Sequence, residues 1–237
     1  MVAPIARASA CQTVRVKPSG ADRRARLRGA HLYFVADRAG LDRALDGALR
    51  GGADLVQLRD KTARDDEIVA AARWVAARCA AHGALFILND RPDLALAVGA
   101  DGVHVGQDDM PVAQARAIVG DGAIVGLSTH SIAQADAGAV SGADYIAVGP
   151  VHATPTKEGR PAIGLDPIRH AAAHVGGVPW FAIGGIDTET VRDVAAAGAR
   201  RAVIVRAIAH AEVPEAATRA LRAALTAGAV EAGRGAA

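Results

Sequence analysis

Four times in this chain a glycine-alanine pair followed by a charged residue closes a stretch of helical sequence and leads straight into a short apolar segment. The copies are Gly52-Ala53-Asp54, Gly99-Ala100-Asp101, Gly142-Ala143-Asp144 and Gly198-Ala199-Arg200, at spacings of 47, 43 and 56 residues. Glycine reaches the left-handed backbone region that ends a helix, and the small alanine lets the chain turn tightly into a strand. Apolar runs predict strands at His31–Asp37, Asp54–Arg59, Ala84–Asn89, Gly102–Val105, Ala123–Ser128, Asp144–Gly149, Trp180–Gly184 and Ala202–Arg206. Helical sequence follows each of them, near Leu41–Arg50, Ala63–His82, Pro92–Val98, Pro111–Val119, Ile132–Val140, Pro167–His174, Thr188–Ala197 and Glu215–Ala227. The four turns precede strands two, four, six and eight. Eight strand-helix units predict an α/β fold, an eight-stranded parallel (β/α)8 TIM barrel, with the repeat at its floor and the chemistry at the opposite mouth.

At 237 residues, 51% hydrophobic, the chain suits one large α/β domain and excludes a disordered or fibrous protein. Its 27 basic and 25 acidic residues are too balanced for a protein that coats nucleic acid or an anionic membrane. No window reaches the roughly 18 uncharged apolar residues of a membrane span. Cys11 and Cys79 are the only cysteines, which fits a reducing, cytoplasmic setting. Residues 1–30 stand apart, with seven basic residues against Asp22 alone and no sustained apolar period. They read as a flexible basic tail, an organelle transit segment being the alternative. The expected organisation is therefore a dispensable tail over 1–30, a catalytic barrel over 31–227 and a flexible C-terminal tail over 228–237. Assembly into a homo-oligomer stays open.

Arginine and alanine are used almost wherever they serve, and against that background Lys17, Lys61 and Lys157 are the only lysines and Asn89 the only asparagine. A compact ammonium or an amide kept in such a chain points to its own chemistry. Lys61, Lys157 and Asn89 all fall at the predicted mouth. In strand two, Gln57 and Arg59 share one side, and Lys61 extends that row into the loop. Two cations there call for a multiply charged anion such as a diphosphate. Asn89-Asp90 ends strand three and Gln107-Asp108-Asp109 follows strand four, so carboxylates from adjacent strands can share a Mg2+ that also binds phosphate oxygens. Taken alone, the second acidic pair would be read as the start of a helix, and it is the cationic cluster at the same mouth that favours a metal-bound polyphosphate. Gly184-Gly185 after strand seven and Val205-Arg206 at strand eight stand where this barrel recurrently cradles a phosphate, implying a second, monophosphorylated ligand. The long loop with Thr154, Thr156 and Lys157 lies between the two sites.

The runs Gln57-Leu58-Arg59-Asp60-Lys61, Leu88-Asn89-Asp90-Arg91, Gly102 through Asp109, Gly126 through Ser131, Gly149-Pro150 with Thr154-Pro155-Thr156-Lys157, and Ala182 through Ile186 together resemble the thiamine-phosphate synthase family. The resemblance spans residues 31 to 225 in order. It implies coupling of hydroxymethylpyrimidine diphosphate to a thiazole phosphate or carboxythiazole phosphate, with release of diphosphate. It further implies that Gln57, Arg59, Lys61, Asn89, Ser128 and Lys157 hold the pyrimidine diphosphate, and that Asp90 and Asp109 bind Mg2+. Thr154, Thr156, Gly185, Val205 and Arg206 would meet the thiazole phosphate. Two departures stand out: many relatives carry serine at Arg206 and an aromatic residue at His152. No strong nucleophile stands at the mouth, so Arg59, Lys61, Ser128 and Lys157 are expected to act on a dissociative displacement, by electrostatics rather than covalent catalysis. A Schiff base on Lys157 competes with that reading. A thiazole tautomerase of the same barrel family and a non-catalytic phosphate-binding barrel remain as alternatives.

Overall fold

The computed structural model describes residues 18–154 and 161–234. Among them the order is α1 (Gly20–Gly29), β1 (Leu32–Ala36), α2 (Arg38–Arg50), β2 (Leu55–Leu58), α3 (Asp65–His82), β3 (Leu85–Asn89), α4 (Pro92–Val98), β4 (Gly102–Val105), α5 (Val112–Val119), β5 (Ile124–Thr129), α6 (Ile132–Ala139), β6 (Tyr145–Val148), α7 (Asp166–His174), β7 (Trp180–Ile183), α8 (Val191–Ala196), β8 (Ala202–Ile204), α9 (Arg206–Ala209) and α10 (Pro214–Arg234). The strands form a closed parallel barrel in sequence order, β8 returning to β1 through Leu32 opposite Ala202. Each predicted strand is present. No helix among the described residues is long and apolar enough to cross a membrane.

Strand alternation divides the core in two. Tyr33, Val35, Leu55, Leu85, Ile87, Ile124, Tyr145, Phe181 and Val203 fill the barrel interior. Their strand neighbours Leu32, Phe34, Val56, Phe86, Leu88, Val103 and Val125 pack outward with the helices. Gln57 follows Leu55 in the inward register, which directs Gln57 and Arg59 at the mouth.

The repeat turns behave as expected, with Gly52, Gly99, Gly142 and Gly198 at φ of 96°, 66°, 82° and 102°. Their aspartates do more than follow a turn. Asp54 Oδ2 accepts from the backbone N–H of His31 (2.8 Å) and Leu32 (3.0 Å), Asp101 Oδ2 from Phe86 (3.0 Å), and Asp144 Oδ2 from Val125 (2.8 Å). Each carboxylate thus ties the start of an odd-numbered strand to the turn entering its even-numbered neighbour.

Three expectations are corrected at the ends of elements. Residues 20–29, expected within the flexible tail, form helix α1 across the barrel floor. Ser19 and Asp22 close its N-terminus as a capping box, Arg23 Nε reaches Asp101 at 2.8 Å, Arg24 Nε reaches Asp144 at 2.7 Å, and Leu27 is buried against the inner cluster. The basic charge of this segment therefore meets carboxylates of the repeat. Residues 1–17 lie outside the described residues. The last helix continues through Arg234, seven residues past the expected end at Ala227, as its alanine-rich sequence allows, while 235–237 lie outside the described residues. Strand β8 stops at Ile204, and Arg206 opens the short helix α9 instead of extending the strand.

Candidate active site

A cavity of about 360 Å3 opens at the C-terminal ends of the strands. Gln57, His104 and Ser128 lie at its buried base, Arg59 and Asn89 on one wall, and Thr154, Gly185, Val205 and Arg206 on the other. A second cavity of about 270 Å3 lies beside it, lined by Asp60, Lys61, Asn89, Asp90 and Arg91. Asn89 borders both. The expected row of Gln57, Arg59 and Lys61 is therefore split, because the chain bends after Arg59. Asp60 Oδ1 accepts from the N–H groups of Thr62 (3.1 Å) and Ala63 (3.0 Å), and Arg38 Nε donates to Oδ2 at 3.0 Å. This side-chain turn carries Lys61 to Asp90, where Nζ and Oδ2 are 3.3 Å apart.

Asp90 holds φ at 58°, the only non-glycine with positive φ among the described residues. Such a conformation persists where its surroundings enforce it, and here the Asp90 N–H is held by the His104 carbonyl at 2.9 Å. Burial, and next the negative charge of Asp109, push the Asp90 carboxyl above the usual carboxylate range, with Lys61 opposing. Asp109 Oδ2 accepts from Gly106 N–H at 2.9 Å. Two hard carboxylates that repel one another fit a divalent cation between the ends of β3 and β4. No group of three or more His, Cys, Asp or Glu side chains that could hold a metal ion is found among the described residues.

On the opposite wall Gly184 and Gly185 have φ of 106° and 62°. A Cβ on Gly184 would stand 2.4 Å from Pro150 Cα, so only glycine permits this approach of β7 to the loop after β6. Thr154 reaches the cavity, while Thr156 and Lys157 lie outside the described residues.

The imidazole beside Ser128 comes from an unexpected strand. His130, nearest in sequence, donates from Nδ1 to the Gly149 carbonyl at 2.6 Å, whereas His104 on β4 brings Nε2 to 2.9 Å from Ser128 Oγ. His104 Nδ1 meets Tyr145 Oη at 3.0 Å, Tyr145 Oη meets Tyr33 Oη at 2.8 Å, and Gln57 Nε2 donates to Tyr33 Oη at 2.5 Å. Sequence reading missed Tyr33, Tyr145 and His104. The available signal was compositional, since these are the only two tyrosines in the chain.

Residues 32–208 match the family model described as thiamine monophosphate synthase. The thiamine-phosphate synthase of Saccharopolyspora erythraea is 51% identical over 210 residues, covering 84% of this chain and 94% of its own. That of Thermobifida fusca is 51% identical over 211 residues, covering 87% and 97%. The solved thiamine phosphate pyrophosphorylase from Pyrococcus furiosus superposes with a TM-score of 0.77 at 33% identity, covering 86% of this chain and 98% of its own. A 3-hexulose-6-phosphate synthase, at 23% identity and a TM-score of 0.62, shares the barrel fold. With that match running through both cavities, from the first strand to the short helix after the last, the chain belongs to the thiamine monophosphate synthase family.

Proposed function

We propose that the chain is a transferase that joins hydroxymethylpyrimidine diphosphate to a thiazole phosphate, giving thiamine phosphate and diphosphate. The observation that carries this reading is the pair of adjoining cavities. One offers Lys61 and Asp90 for a metal-bound diphosphate, the other a glycine turn and Arg206 for a monophosphate, and Asn89 joins them. In the reaction, the bond between the pyrimidine methylene carbon and the diphosphate oxygen breaks, and diphosphate leaves with the electron pair. The thiazole nitrogen then donates its own pair to that carbon. Arg59 and Lys61, with Lys157 from the long loop, stabilise charge growing on the departing oxygens. Ser128 and Gln57 orient the pyrimidine half at the cavity base. Asp90 and Asp109 would hold Mg2+, which when bound supplies further neutralisation of the leaving group. Thr154, Thr156, Gly185, Val205 and Arg206 hold the thiazole phosphate, whose charge does not change. A thiazole tautomerase on this barrel has no use for the Lys61, Asp90 and Asp109 cluster. We place the activity in the cytoplasm, in line with a chain of two cysteines of which Cys79 is buried.

The test is to incubate the purified protein with both substrates and Mg2+ and separate the products. Thiamine phosphate and diphosphate should appear in equal amounts only when both substrates are present. Absence of coupling in the folded protein would overturn the reading.

A further inference from the structure

We propose that Gln57, Tyr33, Tyr145 and His104 form a one-way hydrogen-bond relay through the barrel core that sets the Ser128 hydroxyl as a donor toward the pyrimidine substrate at the cavity base, with His104 as the positioning residue. This rests on the coupling reaction proposed above. The direction follows from counting protons. Gln57 donates its amide N–H to Tyr33 Oη, so the single phenolic proton of Tyr33 is given onward to Tyr145 Oη. Tyr145 in turn gives its proton to His104 Nδ1, which leaves the imidazole proton on Nε2, facing Ser128 Oγ. Ser128 accepts there, and its own proton is directed away from the imidazole, at the mouth. Bonds aligned in one sense polarise one another, which favours the uniform direction over a mixed one.

The packing around the relay is built for it. Tyr33, Tyr145 and Phe181 meet edge to face, with centroids 5.6–5.8 Å apart, and the His104 ring stacks on Tyr145 at 5.5 Å. Gly126 on β5 lies against Tyr145, where a Cβ would come within 2.1 Å of the ring. Both phenols are fully buried, and burial drives them far above the ordinary tyrosine range, so each keeps the proton that the relay needs. A core of this layer could be filled by apolar side chains, as the rest of the interior is. The polar chain instead joins a cavity residue on β2 to one on β5 by way of β1, β6 and β4.

The tautomer of His104 is read by nitrogen NMR on histidine-labelled full-length protein, with the signal assigned by its loss in His104→Gln. The expected result is one neutral form with the proton on Nε2, in the absence of substrates and of any turnover. In Tyr145→Phe the donor to Nδ1 is gone, so the imidazole should become a mixture of both forms. Turnover at saturating substrates should fall about tenfold with little change in the thiazole-phosphate KM. Tyr33→Phe leaves Tyr145 able to donate and should keep the single form. A wild-type His104 carrying its proton on Nδ1 would overturn the relay, even if Tyr145→Phe fails to fold. So would a Tyr145→Phe protein with both tautomer and kcat unchanged. Because the NMR readout needs no reaction, a failed coupling assay and a failed relay remain separate results.

Discussion

Helix α1 holds to the barrel floor through one buried apolar side chain, two arginine-aspartate pairs and arginine hydrogen bonds to the carbonyls of Asp121, Gly122 and Ala123, and its apolar contribution can be tested at a single position. Leu27 is 1% exposed and packs into the inner cluster with Leu55, Leu85 and Ile124. Leu27→Ala removes three carbons from that environment. At about 0.8 kcal/mol for each buried methylene the transfer loss is about 2.4 kcal/mol. A rigid cavity would add to this, but the site lies at the end of the barrel, where α1 can settle, so the total should be about 2–3 kcal/mol, at the low end of leucine truncations. For a domain of this size that corresponds to a fall in Tm of about 4–12 °C. Urea unfolding followed by circular dichroism should show the loss as a lower midpoint at unchanged slope. In the folded variant kcat should be preserved, since Leu27 sits at the end of the barrel opposite the cavities. A loss below about 0.5 kcal/mol would mean that the helix is not part of the core. A drop in kcat at full stability would mean that the floor communicates with the mouth, and would refute the separation of the two ends.

Three further outcomes are expected. Arg59→Ala should depress kcat, because charge grows on the leaving diphosphate, while Arg206→Ala should chiefly raise the thiazole-phosphate KM. Charge-assisted hydrogen bonds suggest a scale of about 10- to 200-fold for each, and steady-state kinetics with each substrate varied decide between the parameters. Asp90→Ala and Asp109→Ala should each collapse Mg2+-dependent turnover while thiazole-phosphate binding by calorimetry stays nearly unchanged. Normal turnover in both variants removes the metal assignment. The Asp60 carboxyl sits at about 2, where burial alone would raise it but hydrogen bonds from Arg38, Thr62 and Ala63 prevail. A depressed carboxylate stabilises the fold fully above its unfolded value near about 4 and loses that contribution as pH falls toward 2. The gap in urea midpoint between wild type and Asp60→Asn should therefore narrow over that interval, and a constant gap excludes the linkage.

The barrel was legible because its signals are local: apolar runs of strand length, alanine-rich stretches between them, and glycines at the turns. What escaped was set by closure of the sheet. Helix α1 carries a single buried apolar residue, and its arginines look solvated until β4 and β6 bring Asp101 and Asp144 beneath them. The pairing of His104 with Ser128 joins neighbouring strands whose residues lie 24 apart in sequence. Strand alternation placed Gln57 and Arg59 correctly, but the side-chain turn at Asp60 diverts Lys61 into the second cavity. Among the site residues expected from sequence, Gln57, Asn89, Ser128, Thr154, Gly185, Val205 and Arg206 do converge on the central cavity. The long-loop residues Thr156 and Lys157 lie outside the described residues.

The floor carboxylates act as staples, and they leave the circle uneven. Asp54 fastens β1 to the entry of β2, Asp101 fastens β3 to β4, and Asp144 fastens β5 to β6. At the fourth turn Arg200 stands where an acceptor would be needed, and β7 meets the three-residue β8 over only two registered pairs. The cylinder is thus three riveted panels and one seam. Local opening costs least where the fewest bonds must break, so amide hydrogen exchange is expected to be fastest along the β7–β8 edge, with its two registered pairs and no carboxylate staple. At the other end of that seam lie Gly185, in the turn after β7, and Arg206, at the start of α9.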